Sequence, residues 1–299
     1  MPVLETTDFG DEGAKVRDEV QELGEETEEG PQITDTKYFH EPGGDDILGH
    51  YDKRYFHGVV SYGERADTLR YMIRAYLDFF RKEGLETWIS HGTLLGWWWN
   101  GQFPLQMLPW DWDLDTQVSG TTLAHLAKTL NYTTHTYTSP DRLVSRNYLL
   151  DINLWSRERE RGDGMNIIDA RWIDVRNGLY VDITGLSETH PDVQPGVWTC
   201  KNYHRYRTSD LYPLRDSVFE GVRAKIPYAY GRILIDEYRE QALIDTEYEG
   251  HSWSQDRREW VKIPERSTTE LETDTAKRLE PDHRPLPRPI TPSGPEVLQ

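Results

Sequence analysis

The sequence predicts an α+β fold, and three observations carry that expectation. Amphipathic helical stretches and short β-rich runs both recur through the middle of the 299-residue chain. They alternate without the regular βαβ period of a doubly wound sheet. No segment repeats at roughly 20–50 residues, which excludes solenoids and propellers.

The clearest helix spans about 62–83, where Leu69, Met72, Ile73, Tyr76, Leu77 and Phe80 recur on one face and Arg81-Lys82-Glu83-Gly84 supplies a stop. Thr87–Ile89 reads as a short strand running into His91-Gly92. Thr93–Trp99 is apolar on most sides and follows a glycine, so a helix is expected there rather than a strand. Leu108–Val118 alternates and reads as a strand, and Thr121–Leu130 as a second amphipathic helix. Tyr148–Trp155 is the next strand. Arg171–Val175 and Leu179–Ile183 form a hairpin through the turn Arg176-Asn177-Gly178. Phe219–Ile226 reads as one further strand ended by Pro227, and Ala229–Leu243 as the closing helix.

Charge divides the chain. Of 52 acidic and 34 basic residues, for a net charge of −18, residues 1–50 hold 15 acids against 3 bases, a net of −12. The remainder carries 37 against 31, a net of −6. Residues 1–36 have the composition of an acidic disordered leader, and 264–299, with seven of the 17 prolines, that of a Pro-rich disordered tail. Between them, 37–263 reads as the folded body. The acid surplus excludes nucleic acid as a partner, since that affinity comes from basic side chains on phosphates. A single cysteine, Cys200, rules out an intrachain disulfide and a Cys-rich zinc site, and nothing partners it as a nucleophile. No apolar run reaches the length of a membrane span and no signal peptide is visible.

Chemistry concentrates in Pro109-Trp110-Asp111-Trp112-Asp113-Leu114-Asp115. On a strand, Asp111, Asp113 and Asp115 share one face at a spacing of roughly 6.6–7 Å, while Trp110, Trp112 and Leu114 pack on the other. Three carboxylates on one face raise one another's pKa values, a cost that a divalent cation relieves. Without His or Cys ligands, the oxygen set favours Mg²⁺ or Mn²⁺ over zinc. Solvent-facing acids on an edge strand are the plainer alternative. Upstream, His91-Gly92-Thr93 opens a helix, where free backbone N–H groups attract phosphate, although a tight turn before a core helix explains the same residues. His91 either touches substrate or is a satisfied structural histidine.

Asp182 lies mid-strand among apolar neighbours, where an unpaired carboxylate is costly, so it is expected to complete the metal cluster or to take a proton from an attacking hydroxyl. Asp169 and Asp174 are expected to pair locally with Arg171 and Arg176 and to be structural. Trp97-Trp98-Trp99, Trp110 and Trp112 offer stacking surfaces, but clustered tryptophans are more often core. His50, His57 and Tyr51 lack metal-ligand spacing and receive no role. No P-loop, G-x-S-x-G or G-x-G-x-x-G occurs.

The segments HGTLLGWWWNG at 91–101 and LPWDWDLDTQV at 108–118 resemble the LicD family of phosphotransferases, which includes fukutin-related protein. They are nearest its fungal branch, associated with mannosylphosphorylation. NIIDARWIDVRNGLYVDITGL at 166–186 and LYPLRDSVFEGVRAKIP at 211–227 extend the resemblance, which covers about 37–245. It implies a nucleotidyltransferase-like α+β core with a small mixed sheet flanked by helices. It also implies metal carboxylates at Asp111, Asp113, Asp115 and Asp182, catalytic roles for Asp113, Asp115 and Asp182, and substrate contacts at His91, Gly92 and Thr93. Such a protein would move a phosphorylated group, such as mannose phosphate, from a nucleotide-diphosphate-linked donor to a glycan or glycoprotein hydroxyl, within the Golgi or secretory pathway. The chain departs from the family pattern at 102–106, which reads as an insertion beside the metal strand, and in lacking a visible anchor.

Two other functions fit the same residues. A glycosyltransferase also uses D-x-D with Mn²⁺ but transfers sugar without phosphate. A non-enzymatic regulator would bind a separate transferase as its partner.

Overall fold

The computed structural model describes residues 37–101, 106–159, 164–188 and 190–264. The chain divides after Lys37, and every element below belongs to the unit that begins at Tyr38. The predicted leader 1–36 and the tail from 265 lie outside the described residues, as do 102–105 of the predicted insertion.

An irregular strap with a 3-10 turn at Leu48–His50 leads to helix α1, Tyr62–Lys82. Ser61 caps that helix by accepting the Glu64 N–H. Strand β1, Trp88–Ile89, turns into α2, His91–Asn100, which starts two residues earlier than expected. Strand β2, Leu114–Ser119, runs straight into α3, Gly120–Thr129, capped by Ser119. Next come β3, Thr133–Thr138, β4, Ser145–Ile152, β5, Ala170–Asp174, and β6, Tyr180–Glu188. Short strands β7, Val197–Thr199, and β8, Arg205–Arg207, precede the single turn α4, Thr208–Leu211. A hairpin β9, Arg215–Phe219, and β10, Val222–Ile226, is followed by α5, Tyr230–Tyr238. A three-stranded meander closes the described chain: β11, Glu247–Tyr248, β12, His251–Ser254, and β13, Glu259–Lys262.

The main sheet runs β1-β2-β6-β5-β4-β3, with β7 and β8 extending from β6. Among the described residues only β2 and β6 pair in parallel, so the sheet is mixed. The fold is therefore the expected α+β mixed sheet flanked by helices. The predicted face of α1 is buried: Leu69, Met72, Ile73, Tyr76, Leu77 and Phe80 enter one core with Trp172, Val181 and Ile183 of the sheet. Leu123 and Leu126 of α3 join the same core. No helix among the described residues is long and apolar enough to cross a membrane.

Two strand expectations are corrected. The strand foreseen over Leu108–Val118 begins only at Leu114, because Pro109 and Trp110 form a turn in which the Asp111 N–H reaches the Leu108 carbonyl. Proline has no N–H to give a ladder. The single strand foreseen over Phe219–Ile226 is the second half of a hairpin, with positive φ at Glu220 and Gly221 reversing the chain. The closing helix is also shorter, since Arg239 at φ 68 separates α5 from a 3-10 turn at Glu240–Leu243. The 171–183 hairpin is present as expected, with Gly178 at φ 85 in its turn.

Candidate active site

The parallel register of β2 and β6 sets Asp115 directly beside Asp182. Paired residues on neighbouring strands project from the same face, so one register brings together two acids 67 positions apart in sequence. Asp113 enters from the extended approach to β2, and carboxylate oxygens of Asp113, Asp115 and Asp182 lie within 4.8 Å of one another. Asp111 stands outside this trio, correcting the expectation that all three D-x-D-x-D acids share one strand face. It lies instead against the start of α2, where a β-carbon on Gly92 would come within 3.1 Å of Asp111 Oδ2. The opposite side of the segment packs as expected: Leu114 is buried, and Trp112 lies under the Arg65 guanidinium at 4.3 Å.

Burial and mutual repulsion dominate the electrostatics. Burial, then the Asp113 charge, pushes Asp111 up to about 7. Burial raises Asp182 to about 6, with Arg171 opposing and Asp113 adding to the rise. Asp115 is raised well above the ordinary carboxylate value by burial and the Asp113 charge. A cation would relieve that repulsion, and an all-oxygen trio at this spacing has the chemistry to hold Mg²⁺ or Mn²⁺.

Two basic side chains already touch the cluster, and sequence spacing revealed neither. His50 Nδ1 lies 3.2 Å from Asp113 Oδ2, so a histidine that received no role sits in the site. Arg171 stands opposite Asp182 in the β5–β6 ladder and donates from Nε to Asp182 Oδ1 at 3.0 Å. Its Nη2 reaches Glu41 Oε1 at 2.8 Å, and its guanidinium lies 3.7 Å from the Tyr180 ring centre. The expected Asp169–Arg171 pair is thereby corrected. Arg171 is taken by its cross-strand partner Asp182, which faces it directly across the β5–β6 ladder. Asp169 instead accepts from Arg159 Nη1 (2.8 Å), Lys201 Nζ (2.9 Å) and the Gly185 N–H (2.7 Å). The Asp174–Arg176 pair forms as expected, with Nε and Nη2 bonds of 3.0 and 2.7 Å.

The turn into α2 is stitched to β2. The Ser90 N–H donates to the Asp115 carbonyl at 3.1 Å, and the Thr93 hydroxyl oxygen accepts the Asp115 N–H at 2.8 Å. Thr93 is buried, so its side chain fixes the acid strand while Gly92 faces Asp111. His91, at φ 49, bonds through Nδ1 to Glu237 Oε2 of α5 at 3.0 Å and through Nε2 to Gln117 at 3.2 Å. Burial alone would lower the His91 pKa, but Glu237, with Asp115 and Asp113 behind it, raises it to about 9. Tyr206 donates to Glu237 Oε1 at 2.6 Å, and the His204 ring lies beside that of His91, tilted by 41° with ring centres 4.6 Å apart. His91, His204 and Glu237 are close enough to hold a cation, yet both ring nitrogens of His91 already have protein partners. Cys200 lies 3.3 Å from His204 Nδ1, but burial pushes its thiol up, away from the nucleophilic thiolate.

Of the tryptophans, Trp97 and Trp99 donate their indole N–H to Ser217 and to the Ala242 carbonyl. Trp97, Trp98, Trp99, Trp110 and Trp112 all pack against the core.

A family model described as LicD/FKTN/FKRP, nucleotidyltransferase domain, matches residues 84–229. That span contains Asp111, Asp113, Asp115, Asp182 and the start of α2, but neither α1, α5 nor the β11–β13 meander. Two curated proteins of Saccharomyces cerevisiae are similar to this chain. Mannosyltransferase regulator 4 is 38% identical over 144 residues, which is 47% of this chain and 12% of that protein. Mannosyltransferase regulator 14 is 34% identical over 142 residues, 46% of this chain and 14% of its own length. The chain therefore spans only a small part of the curated relatives it matches.

Proposed function

We propose that this chain, whose residues 84–229 match the LicD/FKTN/FKRP nucleotidyltransferase-domain model, is a metal-dependent phosphotransferase. In this reading it moves a substituted phosphate, mannose phosphate being the favoured group, from a nucleotide-diphosphate-linked donor to a glycan hydroxyl. The observation that carries the reading is the carboxylate trio of Asp113, Asp115 and Asp182, gathered from two parallel strands and a preceding loop. Nothing in the packing of an α+β core calls for three buried or half-buried acids side by side.

The trio would hold Mg²⁺ or Mn²⁺, which when bound supplies positive charge to the donor diphosphate and to the departing nucleotide phosphate. Asp111 borders the same site and adds negative charge on its α2 side. Gly92 leaves room for Asp111, and the free N–H groups at the start of α2 offer donors to a phosphate oxygen. Asp182, held in place by the Arg171 Nε–H, is placed to take the proton of the acceptor hydroxyl, a role Asp115 can share. His50 orients Asp113 from the strap before α1. Residence in the Golgi or elsewhere in the secretory pathway belongs to this proposal.

The test is purified protein with Mn²⁺, nucleotide-diphosphate mannose and a mannan acceptor, read by mass spectrometry. Gain of sugar plus phosphate is expected, with loss of roughly a hundredfold or more in Asp113→Asn plus Asp115→Asn protein. Gain of sugar alone would establish a glycosyltransferase instead. The names of the two relatives favour a second reading, in which this chain regulates a separate mannosyltransferase without catalysing transfer. Equal inactivity of the wild type and the double variant, with stimulation of an added transferase by both, would select it.

A further inference from the structure

Beside the acid cluster lies a cavity of about 390 Å³, within the range of about 300–1,000 Å³ typical of small-molecule sites. Gly92 and Asp111 belong to its lining, so it borders the cluster on the Asp111 side, while Asp113, Asp115 and Asp182 do not line it. Its aromatic wall combines Trp99 and Trp110 with Tyr248 and Trp260, the last two from the β11–β13 meander outside the family-matched segment. Gln241 and Asp245 add polar groups after α5. From this lining we infer that the cavity is a pyranose subsite, taking one hexose ring beside the site of phosphate transfer.

Three features select that ligand class. Aromatic faces beside carboxylate and carboxamide groups suit a sugar, which offers C–H faces to rings and hydroxyls to hydrogen-bond acceptors. No lysine or arginine is among the described residues lining the cavity, while Asp111 and Asp245 are, so phosphate is disfavoured there. By contrast, a separate cavity of about 300 Å³ also bordered by Asp111 is lined by Arg65, Arg257 and Lys262. Finally, the rings do not form a parallel slot for a nucleobase. Trp110 meets Trp260 at 79° and Tyr248 at 61°, and Trp99 meets Trp260 at 71°, giving an angled trough.

The inference rests on the proposed function for its link to transfer, but sugar binding can be measured without it. Tyr248 is 56% exposed and Asp245 is also exposed, so Tyr248→Ala and Asp245→Ala remove wall groups without opening the core. Full-length protein is titrated without metal against α-mannobiose by saturation-transfer NMR, and with Mn²⁺ against nucleotide-diphosphate mannose and the same nucleotide without sugar. Mannose is the probe because both relatives are named for mannosyltransferases. Each substitution is expected to weaken a sugar-bearing ligand roughly three- to tenfold. Weakened mannobiose assigns the subsite to the acceptor. Weakened nucleotide-sugar, with the bare nucleotide unchanged, assigns it to the donor. Unchanged sugar affinities, no sugar binding at all, or weakening of the bare nucleotide would overturn the inference. Repeating the mannobiose arm on Asp113→Asn plus Asp115→Asn protein separates the two claims. Tyr248-dependent binding there leaves the subsite standing even where phosphotransfer fails.

Discussion

At the scale of single residues, the acid cluster stores a pH-dependent strain that a measurement can read. Asp111 and Asp182 are raised to about 7 and about 6 from an ordinary value of 3.8, so the folded metal-free protein holds those protons more tightly than the unfolded chain. The stability they contribute is fully present below that ordinary value and is lost as pH rises through about 6 and about 7. Metal-free protein should therefore melt at a lower temperature at pH 8 than at pH 5.5 through these groups. Because the Asp113 charge contributes to both shifts, Asp113→Asn should flatten the slope and raise the melting point at pH 8 by roughly 2–4 °C. Added Mn²⁺ should stabilise the wild type increasingly as pH rises, and the variant much less. Scanning fluorimetry across pH 5.5–8, with and without Mn²⁺, checks all three; an unchanged slope in the variant would refute the strain. The D-x-D-x-D spacing made the acids visible in the sequence. It did not show that Asp111 leaves the trio, because the strand starts only at Leu114, after the turn at Pro109-Trp110, and Asp111 packs against Gly92 of α2.

At the scale of elements, two neighbouring strand registers assemble the site. The parallel β2–β6 ladder joins Asp115 to Asp182, and the antiparallel β5–β6 ladder sets Arg171 against Asp182. Arg171 is 4% exposed and serves Asp182 and Glu41 together. Arg171→Met should leave two poorly compensated carboxylates in a buried setting and cost about 3–5 kcal/mol in urea unfolding. A loss below about 1 kcal/mol would mean that solvent already compensates them. Periodicity revealed α1, α3 and the 171–183 hairpin because each has a long, regular apolar face or a decisive Asn-Gly turn. It missed β3, β7, β8 and the closing meander, whose short strands are half-exposed and carry mixed side chains.

At the scale of the whole molecule, the meander of β11–β13 does more than end the described chain. Trp260 lies within 5.0 Å of both Trp99 and Trp110 by ring centres, and Trp253 lies within 5.8 Å of it, so the C-terminal strands lock onto the segment that carries the acids. Trp260→Ala should cost about 3–5 kcal/mol in denaturant unfolding and loosen the Trp110–Asp111 turn, lowering Mn²⁺ affinity in calorimetry. Retained stability and affinity would show the meander to be a passive cover.

The sequence by itself determined the α+β class, the main helical faces and the D-x-D-x-D run of acids, since periodicity and charge spacing are local properties of the chain. Only the tertiary structure decided which acids meet, that His50 and Arg171 stand among them, and that Glu237 orients His91. Those partners lie 11 to 146 positions apart in sequence, and strand register and helix docking bring them together.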